Sequence, residues 1–224
     1  MRTLRIAAAL LLLGAVPARA ADDGPGWRKV ATPEDRRRLR AWRDAWMAAL
    51  PAARAGGGRS EIAAGGALFD PDRALGDAAP PPGNYRCRTF KLGSQAADGL
   101  AFVAYPWFRC WVDQEGAFAK VDGSQRPVGR IHPDTSGRAV FLGTLMLGDE
   151  QRPMRYGRDR ERDLAGLVER VEPRRWRIVL PYPRFESLLD VLELVPESVG
   201  TTGGGTTAGV GATGGAGSGS SAGR

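Results

Sequence analysis

The sequence of 224 residues contains little of what most enzyme centres are built from. It has one histidine, two cysteines and three lysines. A serine–histidine or cysteine–histidine site would have to use His132, in an Ile-His-Pro-Asp stretch that is typical of a turn. Outside the low-complexity end of the chain there is no G-x-S-x-G motif, and the cysteines lack C-x-x-C spacing. The sequence therefore predicts no nucleophilic catalysis, no metal and no cofactor.

Positive charge is mild and comes almost wholly from arginine. The formal net charge of +7 falls to +4 when the three arginines of residues 1–20 are removed. Arginines alternate with acids in residues 158–163, which indicates a solvated, self-paired turn rather than a metal cluster of Asp159, Glu161 and Asp163. Together with the export signal described next, this pattern predicts no nucleic-acid partner.

Both ends of the chain differ from the middle. Residues 1–20 have the three parts of a secretory signal peptide: two arginines, an apolar run at 6–16, and an Ala-Arg-Ala site ending at Ala20. The apolar run is shorter than the roughly 20 residues that cross a bilayer, so we expect a periplasmic or secreted protein with no membrane span in its mature form. Residues 198–224 are almost wholly Gly, Thr, Ala and Ser, which predicts a disordered tail.

Residues 21–82 predict an amphipathic helix followed by a connector. Thr32 is typical of an N-cap and Pro33 of the first helical position. Four apolar residues then follow at spacings of three, four and four, namely Leu39, Trp42, Trp46 and Leu50. This stripe predicts packing on a core rather than a ligand platform, and Pro51 should limit the helix. Glycines and prolines break up the rest, with one short helix favoured at residues 60–64.

Residues 83–197 alternate strand-like runs with turn signals. The runs are residues 84–91, 107–112, 117–121, 127–131, 138–142, 151–156, 164–171, 175–180 and 188–195. Eight or nine short strands predict a mainly β fold, an antiparallel meander that closes into a lipocalin-like (calycin-type) β-barrel of about eight strands. Closure would remove exposed edges. A two-sheet sandwich is the alternative, and periodicity does not separate the two.

The two cysteines predict one disulfide. Cys87 and Cys110 lie 23 positions apart, each in an aromatic, strand-like run. In an exported chain such a pair indicates a structural bridge. Closing a loop of this size should stabilise the fold by roughly 3 kcal/mol.

Polar and aromatic residues near the predicted strand ends are the candidate binding residues. They are Gln125, Arg126, Arg88, Tyr156 and Trp176. The first two lie in the glycine-bracketed segment 123–129, which is either a simple hairpin turn or a rim loop that contacts a partner or an anion. The other three suit a barrel mouth, and they suit ordinary core edges as well.

One pair of carboxylates could serve hydrolysis. A barrel mouth could bring Glu150 and Glu186 together, with Asp163 as a third acid, although nothing in their spacing supports such a site.

Several motifs resemble an uncharacterised bacterial family of secreted proteins, domain of unknown function 4893. They are residues 82–88, 91–93, 123–129, 141–143, 156–157, 175–183, 186–187 and 193–196. The resemblance covers about residues 27–197 and excludes the glycine-rich tail. It implies no activity, because the family has none assigned.

A second resemblance is architectural. Periplasmic inhibitors of lysozyme and of secreted metalloproteases are small eight-stranded barrels with one disulfide, and the Tyr85-x-Cys87 start and the loop around Ser124 look like that layout. Their inhibitory motifs do not align here, so no residue roles transfer.

These observations predict a non-enzymatic secreted or periplasmic barrel that binds a small ligand or an envelope protein. The alternatives are a periplasmic inhibitor of a hydrolase (lysozyme or protease) and a carboxylate-dependent hydrolase. A filled barrel would disfavour the small ligand, and separated carboxylates would remove the support for hydrolysis. The identity of the ligand or partner and the oligomeric state stay open.

Overall fold

The computed structural model describes residues 26–197, so the predicted signal peptide and tail lie outside the described residues. Nine strands form one antiparallel sheet in the order β2–β1–β3–β4–β5–β6–β7–β8–β9, and β9 also pairs with β1. Their bounds are β1 Gly83–Leu92, β2 Phe102–Ala104, β3 Phe108–Val112, β4 Ala117–Lys120, β5 Gln125–Pro133, β6 Ala139–Leu147, β7 Asp163–Glu172, β8 Arg175–Pro181 and β9 Leu189–Pro196. Eight strands thus close into a barrel, and β2 is an additional strand on β1. The predicted eight-stranded meander barrel is confirmed, and the sandwich alternative is wrong.

Two details of the strand prediction are wrong. Residues 151–156 form bends and turns instead of a strand. Pro153 cannot donate to a ladder, and Tyr156 at the end of this segment is held under a helix through its hydroxyl. Conversely, the three-residue strand β2 was not predicted, because it is too short to show an alternating pattern.

His132 lies in a strand rather than in the predicted turn. It is paired with Val140 in the β5–β6 ladder. Burial and the nearby Arg130 guanidinium lower its pKa.

The N-terminal part contains four helices: α1 Trp27–Val30, α2 Pro33–Arg40, α3 Trp42–Ala53 and α4 Arg59–Gly65. Thr32 caps α2 as predicted, with its hydroxyl accepting the Asp35 amide at 3.1 Å. The predicted single helix is broken at Ala41, and Pro51 does not end it, because Pro51 sits inside α3 and the chain continues into the wide turn Arg54–Gly58. The short helix favoured at residues 60–64 is α4.

Helices cover one side of the barrel from outside. Residues of α3 and α4, with the following turn Gly66–Phe69, pack on the outer faces of β8, β9 and β1, where Trp46, Val179 and Val191 belong to one core cluster. Helix α2 packs on β6 and β7 through Leu39. The predicted apolar stripe therefore faces the barrel, as expected for a core-packing helix.

The barrel interior is filled by side chains over most of its length. Four aromatic residues occupy it in two edge-to-face pairs. Tyr85 and Trp176 have ring centroids 6.2 Å apart, and Phe118 and Phe141 have centroids 5.6 Å apart. The interior therefore resembles a packed core rather than the hollow cavity of a carrier barrel.

A buried arginine joins the helices and connector to the outer face of the barrel. Arg177 is fully buried, donates to Glu169 at 2.6 and 2.8 Å, and donates to the Leu68 and Asp70 carbonyls at 2.8 Å each. Its guanidinium also lies 5.1 Å from the centroid of Trp46. We call Arg177, its partner Glu169 and the contacted connector carbonyls the arginine network. Each charge in it has a partner, as buried charges require.

The sheet divides at the disulfide. Cys87 and Cys110 form the predicted bridge, with a Cα–Cα distance of 5.9 Å. Strand β1 pairs with β3 only from Gly83 to Cys87, and beyond that point it pairs with β2. The barrel wall therefore has a notch between the second half of β1 and strands β3 and β4. Within residues 26–197, none of the helices combines the length and the apolar character needed to cross a membrane.

Candidate functional site

The notch opens at one end of the barrel, which we call the lysine end. The connections β1–β2, β4–β5, β6–β7 and β8–β9 lie there, because these strand pairs are antiparallel. The β2–β3 connection lies in the barrel wall instead, because it joins Ala104, opposite Phe90 of β1, to Phe108, opposite Cys87. A cavity of about 70 Å³ occupies the notch and is called the lysine cavity here. It is lined by Thr89, Lys91, Tyr105, Phe108, Lys120, Ser124 and Gln125.

Lys120 is a buried cation in the wall of this cavity. Its residue is 5% exposed, and its ammonium donates to the carbonyls of Asp122 at 2.8 Å and Gln125 at 2.9 Å. The ammonium also lies 3.8 Å from the centroid of Phe108, a cation–π distance. Burial lowers its pKa to about 8, although the Asp122 charge opposes that shift. Among the described residues, no carboxylate lies within ion-pair distance of it.

Lys91 is the second cation of the cavity and is neutralised by acids. Its ammonium lies 3.1 Å from Glu186 Oε2 and 3.4 Å from Asp190 Oδ2. Burial alone would lower its pKa, but Asp190 and Glu186 together raise it. Burial raises the pKa of Asp190, while Lys91 and the Ser187 hydroxyl, which donates to it, act in the opposite direction.

Four polar side chains around the two lysines make no hydrogen bond to other described residues. Within residues 26–197, no hydrogen bond is made by the hydroxyls of Thr89, Tyr105 and Ser124 or by the side-chain amide of Gln125. Tyr105 and Ser124 are exposed, and Thr89 and Gln125 are half-buried, so their polar groups can exchange solvent for a ligand. The lysine cavity therefore carries polar groups without a hydrogen bond to the protein next to a buried positive charge.

A second, apolar cavity adjoins the first. It measures about 40 Å³ and shares Thr89, Lys91 and Gln125 with the lysine cavity. Its walls include Leu145, Leu164, Leu180 and Leu192 from the barrel core, together with Phe185 and the charged residues Glu161, Arg184 and Asp190. A polar cavity and a largely apolar one thus meet along one wall.

Exposed apolar side chains are concentrated at the same end. Five of the nine large hydrophobic residues exposed in the described part of the chain lie at the lysine end, four on its loops and one in the wall of the lysine cavity. These five, called the apolar rim, are Leu100, Tyr105, Val121, Met154 and Phe185. Trp107 lies instead on the outer face of the wall, where the guanidinium groups of Arg86 and Arg88 are each 4.7 Å from its ring centroid. Leu100 is 76% exposed and Phe185 43%, so neither is held by packing. Clustered exposed apolar groups mark interaction surfaces, whereas scattered ones are ordinary.

The family model named domain of unknown function DUF4893 matches residues 27–194, which is most of the chain. The chain belongs to the DUF4893 family. The matched residues include β1 to β8 and all of β9 except its last residues. They also include the residues that line the lysine cavity. Comparison with curated proteins and with solved structures gives no match.

The structure brings only one predicted site residue of this DUF4893 domain to the lysine cavity. Gln125 opens β5 and lines both cavities. Its neighbour Arg126 points away and donates to the carbonyls of Leu147 at 2.6 Å and Glu150 at 2.9 Å, which holds the β6–β7 loop. Gly123, at φ +90°, is the turn glycine of the segment.

Gly129 has a different role from the predicted turn glycine. It lies within β5, where a Cβ atom would be 2.3 Å from the Leu142 carbonyl oxygen. Its lack of a side chain permits the close approach of β5 and β6.

The other three predicted residues lie in three separate places and do not line one mouth. Arg88 is on the outer face, donating to Glu193 at 2.7 Å. Tyr156 is half-buried under α2, with its hydroxyl accepting the Thr32 amide at 3.0 Å and donating to Asp35. Burial raises the pKa of Tyr156. Trp176 is inside the barrel near Tyr85, towards the opposite end.

The carboxylates considered for hydrolysis have separate partners. Glu150 bonds Arg162 and the Leu147 amide, Glu186 bonds Lys91, and Asp163 is buried against the Gly157 amide. Burial raises the pKa of Asp163, whereas the Leu147 amide and Arg162 lower that of Glu150. Each of the three carboxylates is thus held by different groups, and their contacts add no support to a catalytic carboxylate pair.

Sequence reasoning missed both lysines of the cavity. A compositional signal was available, because lysine occurs only three times among 32 basic residues. Two of those three lysines converge on one cavity. A strand signal was also available: Lys91 follows Cys87 by four positions and therefore lies on the same, inward face of β1.

Proposed function

We propose that this DUF4893 protein is a secreted or periplasmic, non-enzymatic binding domain that docks an envelope protein through the apolar rim of its lysine end. The observation that carries the proposal is the concentration of exposed apolar side chains at this one end. Apolar side chains on neighbouring loops offer a partner the desolvated contacts that stabilise protein interfaces.

A filled interior argues against a carrier of an enclosed small ligand. The core cluster inside the barrel includes Tyr85, Phe118, Phe141 and Trp176. The two cavities at the lysine end measure only about 40 and 70 Å³, whereas pockets for drug-sized ligands measure about 300–1,000 Å³. The space at the lysine end suits a group projecting from a larger partner better than a whole ligand. A larger, open cleft of about 860 Å³ lies at the opposite end, where Tyr85, Arg174 and Trp176 are among its lining residues.

The disulfide supports an extracytoplasmic location. Structural disulfides persist in oxidising compartments and are rare in the cytosol. Cys87 and Cys110 are nearly fully buried and are bonded to each other. Export would follow from the signal peptide predicted at residues 1–20.

Site-specific photo-crosslinking in cells that naturally produce the protein tests the proposal. A benzophenone amino acid is placed at Phe185 on the rim and, as a matched control, at Met47 of α3, which is 60% exposed and lies away from the rim. We expect one discrete crosslinked protein from position 185 and none of that mass from position 47.

Specificity is checked by adding Leu100→Glu to the Phe185 probe. A charge in the rim should abolish the crosslink, because burying it against an apolar partner is unfavourable. Three outcomes would each overturn the proposal. They are the same crosslinked protein from position 47, a crosslink that persists with Leu100→Glu, and no discrete crosslinked species from position 185.

A further inference from the structure

We propose that the lysine cavity is a receptor for a single carboxylate group, supplied by the partner that docks on the apolar rim. The inference rests on the proposed function for the source of the carboxylate. Its recognition chemistry rests on the cavity alone.

The unmatched positive charge in the cavity favours binding of an anion. Two cations, Lys91 and Lys120, line it, and no carboxylate does. Lys91 is matched by Glu186 and Asp190, which leaves the charge of Lys120 uncompensated. Asp122, the nearest acid in sequence, directs its carboxylate to Arg109 at 2.9 Å. The Arg126 guanidinium nearby adds further positive potential.

The unused donors define how an anion would be held. Lys120 directs its ammonium at two carbonyls and the Phe108 ring, so it supplies charge rather than a direct contact. The hydroxyls of Thr89 and Ser124, the Gln125 amide and the remaining N–H of Lys91 are available as donors. A carboxylate accepts up to about four hydrogen bonds, which matches this set.

The size and charge of the cavity favour a carboxylate over larger or doubly charged anions. A volume of about 70 Å³ has room for a group of a few non-hydrogen atoms. The acids beside Lys91 would repel a second negative charge on the ligand. The adjoining leucine-lined cavity of about 40 Å³ can take the carbon attached to the carboxylate.

The first test uses the small number of lysines. Protein labelled with ¹³C and ¹⁵N in lysine gives signals from three side chains, assigned with Lys29→Arg, Lys91→Arg and Lys120→Arg. Sodium acetate is added in increasing amounts, and a parallel titration with sodium chloride at the same ionic strength is the control. We expect acetate to shift the Lys120 and Lys91 signals saturably and to raise the pH midpoint of Lys120, since a bound anion favours the protonated form. Unsaturable shifts equal to those in chloride would overturn the receptor.

The second test removes the unused donors without removing charge. Thr89→Val and Gln125→Leu should each weaken acetate binding about tenfold, because each removes a hydrogen bond to a charged acceptor. Ser94→Ala is the control; its hydroxyl donates to the Ala96 carbonyl, outside the cavity. Unchanged acetate affinity in both cavity variants would overturn the assignment of these donors.

The third test finds the source of the carboxylate and separates the two proposals. In the otherwise unchanged protein, acetate should reduce the yield of the crosslink from position 185, and acetamide should not. When Thr89→Val is added to the probe, acetate should leave the yield of the crosslink unchanged. Acetate binding with an unaffected crosslink would overturn the partner as the source, while docking on the rim would stand. Acetate binding with no crosslink at all would overturn the proposed function and leave the carboxylate site.

Discussion

The arginine network and the lysine cavity both bury positive charge, but they do so in opposite ways. In the network, Arg177 donates to Glu169 and to four connector carbonyls, those of Ala67, Leu68, Asp70 and Arg73. In the cavity, Lys120 faces no carboxylate, and the polar side chains around it make no hydrogen bonds within the described residues. The first arrangement is complete without any further molecule, and the second is not.

The choice of cation follows from this difference. The planar guanidinium has five fixed donors and suits a permanent network, whereas an ammonium is compact and loses its proton more readily when buried. The DUF4893 domain uses arginine where the structure is held together. Of the two lysines that line the cavity, Lys91 is paired with Glu186 and Asp190, and Lys120 keeps a charge that no carboxylate matches.

Breaking the arginine network should have the largest effect. Arg177→Met leaves Glu169 buried with only Arg138 as partner, at 2.7 Å, and we expect a loss of about 3–5 kcal/mol in the free energy of unfolding. Urea denaturation measures it. Arg130→Met, which removes an exposed pair with Glu115, is the matched control and should cost less than about 1 kcal/mol. Equal losses in the two variants would contradict the assigned role of Arg177.

Removal of the disulfide at the edge of the notch should give the second-largest loss in the free energy of unfolding. Replacing Cys87 and Cys110 by serine together should lower the free energy of unfolding by roughly 3 kcal/mol, mainly through the unfolded chain. Urea denaturation of the oxidised protein and the double variant measures the difference. A loss below about 1 kcal/mol would mean that the bridge adds little to the closed barrel.

Removing the cavity charge should have a much smaller effect. Lys120→Met should change the free energy of unfolding at pH 7 by less than about 1 kcal/mol, because the lost hydrogen bonds offset the relieved desolvation. A loss as large as that of Arg177→Met would show that Lys120 is structural in the same sense.

The pH dependence of that small effect sharpens the comparison. The folded pKa of Lys120, about 8, lies below that of an unfolded lysine, so the unfolded chain binds more protons between the two values. The stability of the wild type should therefore rise relative to Lys120→Met between pH 7 and pH 10. Lys91 and the tyrosines are shared by both proteins and cancel in the difference. A constant difference in stability between the two proteins across this pH range would contradict the claim that burial lowers the pKa of the Lys120 ammonium.

The smallest effect is expected at the rim. Phe185→Ser should change the free energy of unfolding by less than about 0.5 kcal/mol, because the side chain is 43% exposed and closes no core cluster. Thermal unfolding, with Phe90→Ser as the buried counterpart, measures the contrast. A large loss at Phe185 would mean that the rim serves the fold rather than a partner.

Most of the fold could be predicted because its signals are local. Alternating runs and turn glycines such as Gly123 mark eight of the nine strands. The helix start at Thr32 and Pro33 follows from capping chemistry. Strand β2 and the break at Ala41 could not be predicted in this way, because tertiary contacts decide them.

The site was harder to predict, since it depends on which strands are neighbours. Alternation from Cys87 places Arg88 on the outer face of β1 and Lys91 inside, so the pattern contained that information. The division of β1 between β3 and β2, which opens the notch, involves residues far apart in sequence. Burial of Arg177 under α3 likewise requires knowing where the helices pack.

Closure of the barrel by its first and last strands has a consequence for biosynthesis. β1 pairs with β2 and β3 early, but it finds its second neighbour only when Leu189–Pro196 has been made. The helices at the N-terminal end pack on β1 and also on β6 to β9, which come later in the chain. The barrel therefore stays open during elongation, and the nascent polypeptide presents an unpaired edge of β1 until β9 has been made. The protein should accordingly depend on holding chaperones while it is made, and a stop codon anywhere before β9 should yield an aggregating product rather than a smaller domain.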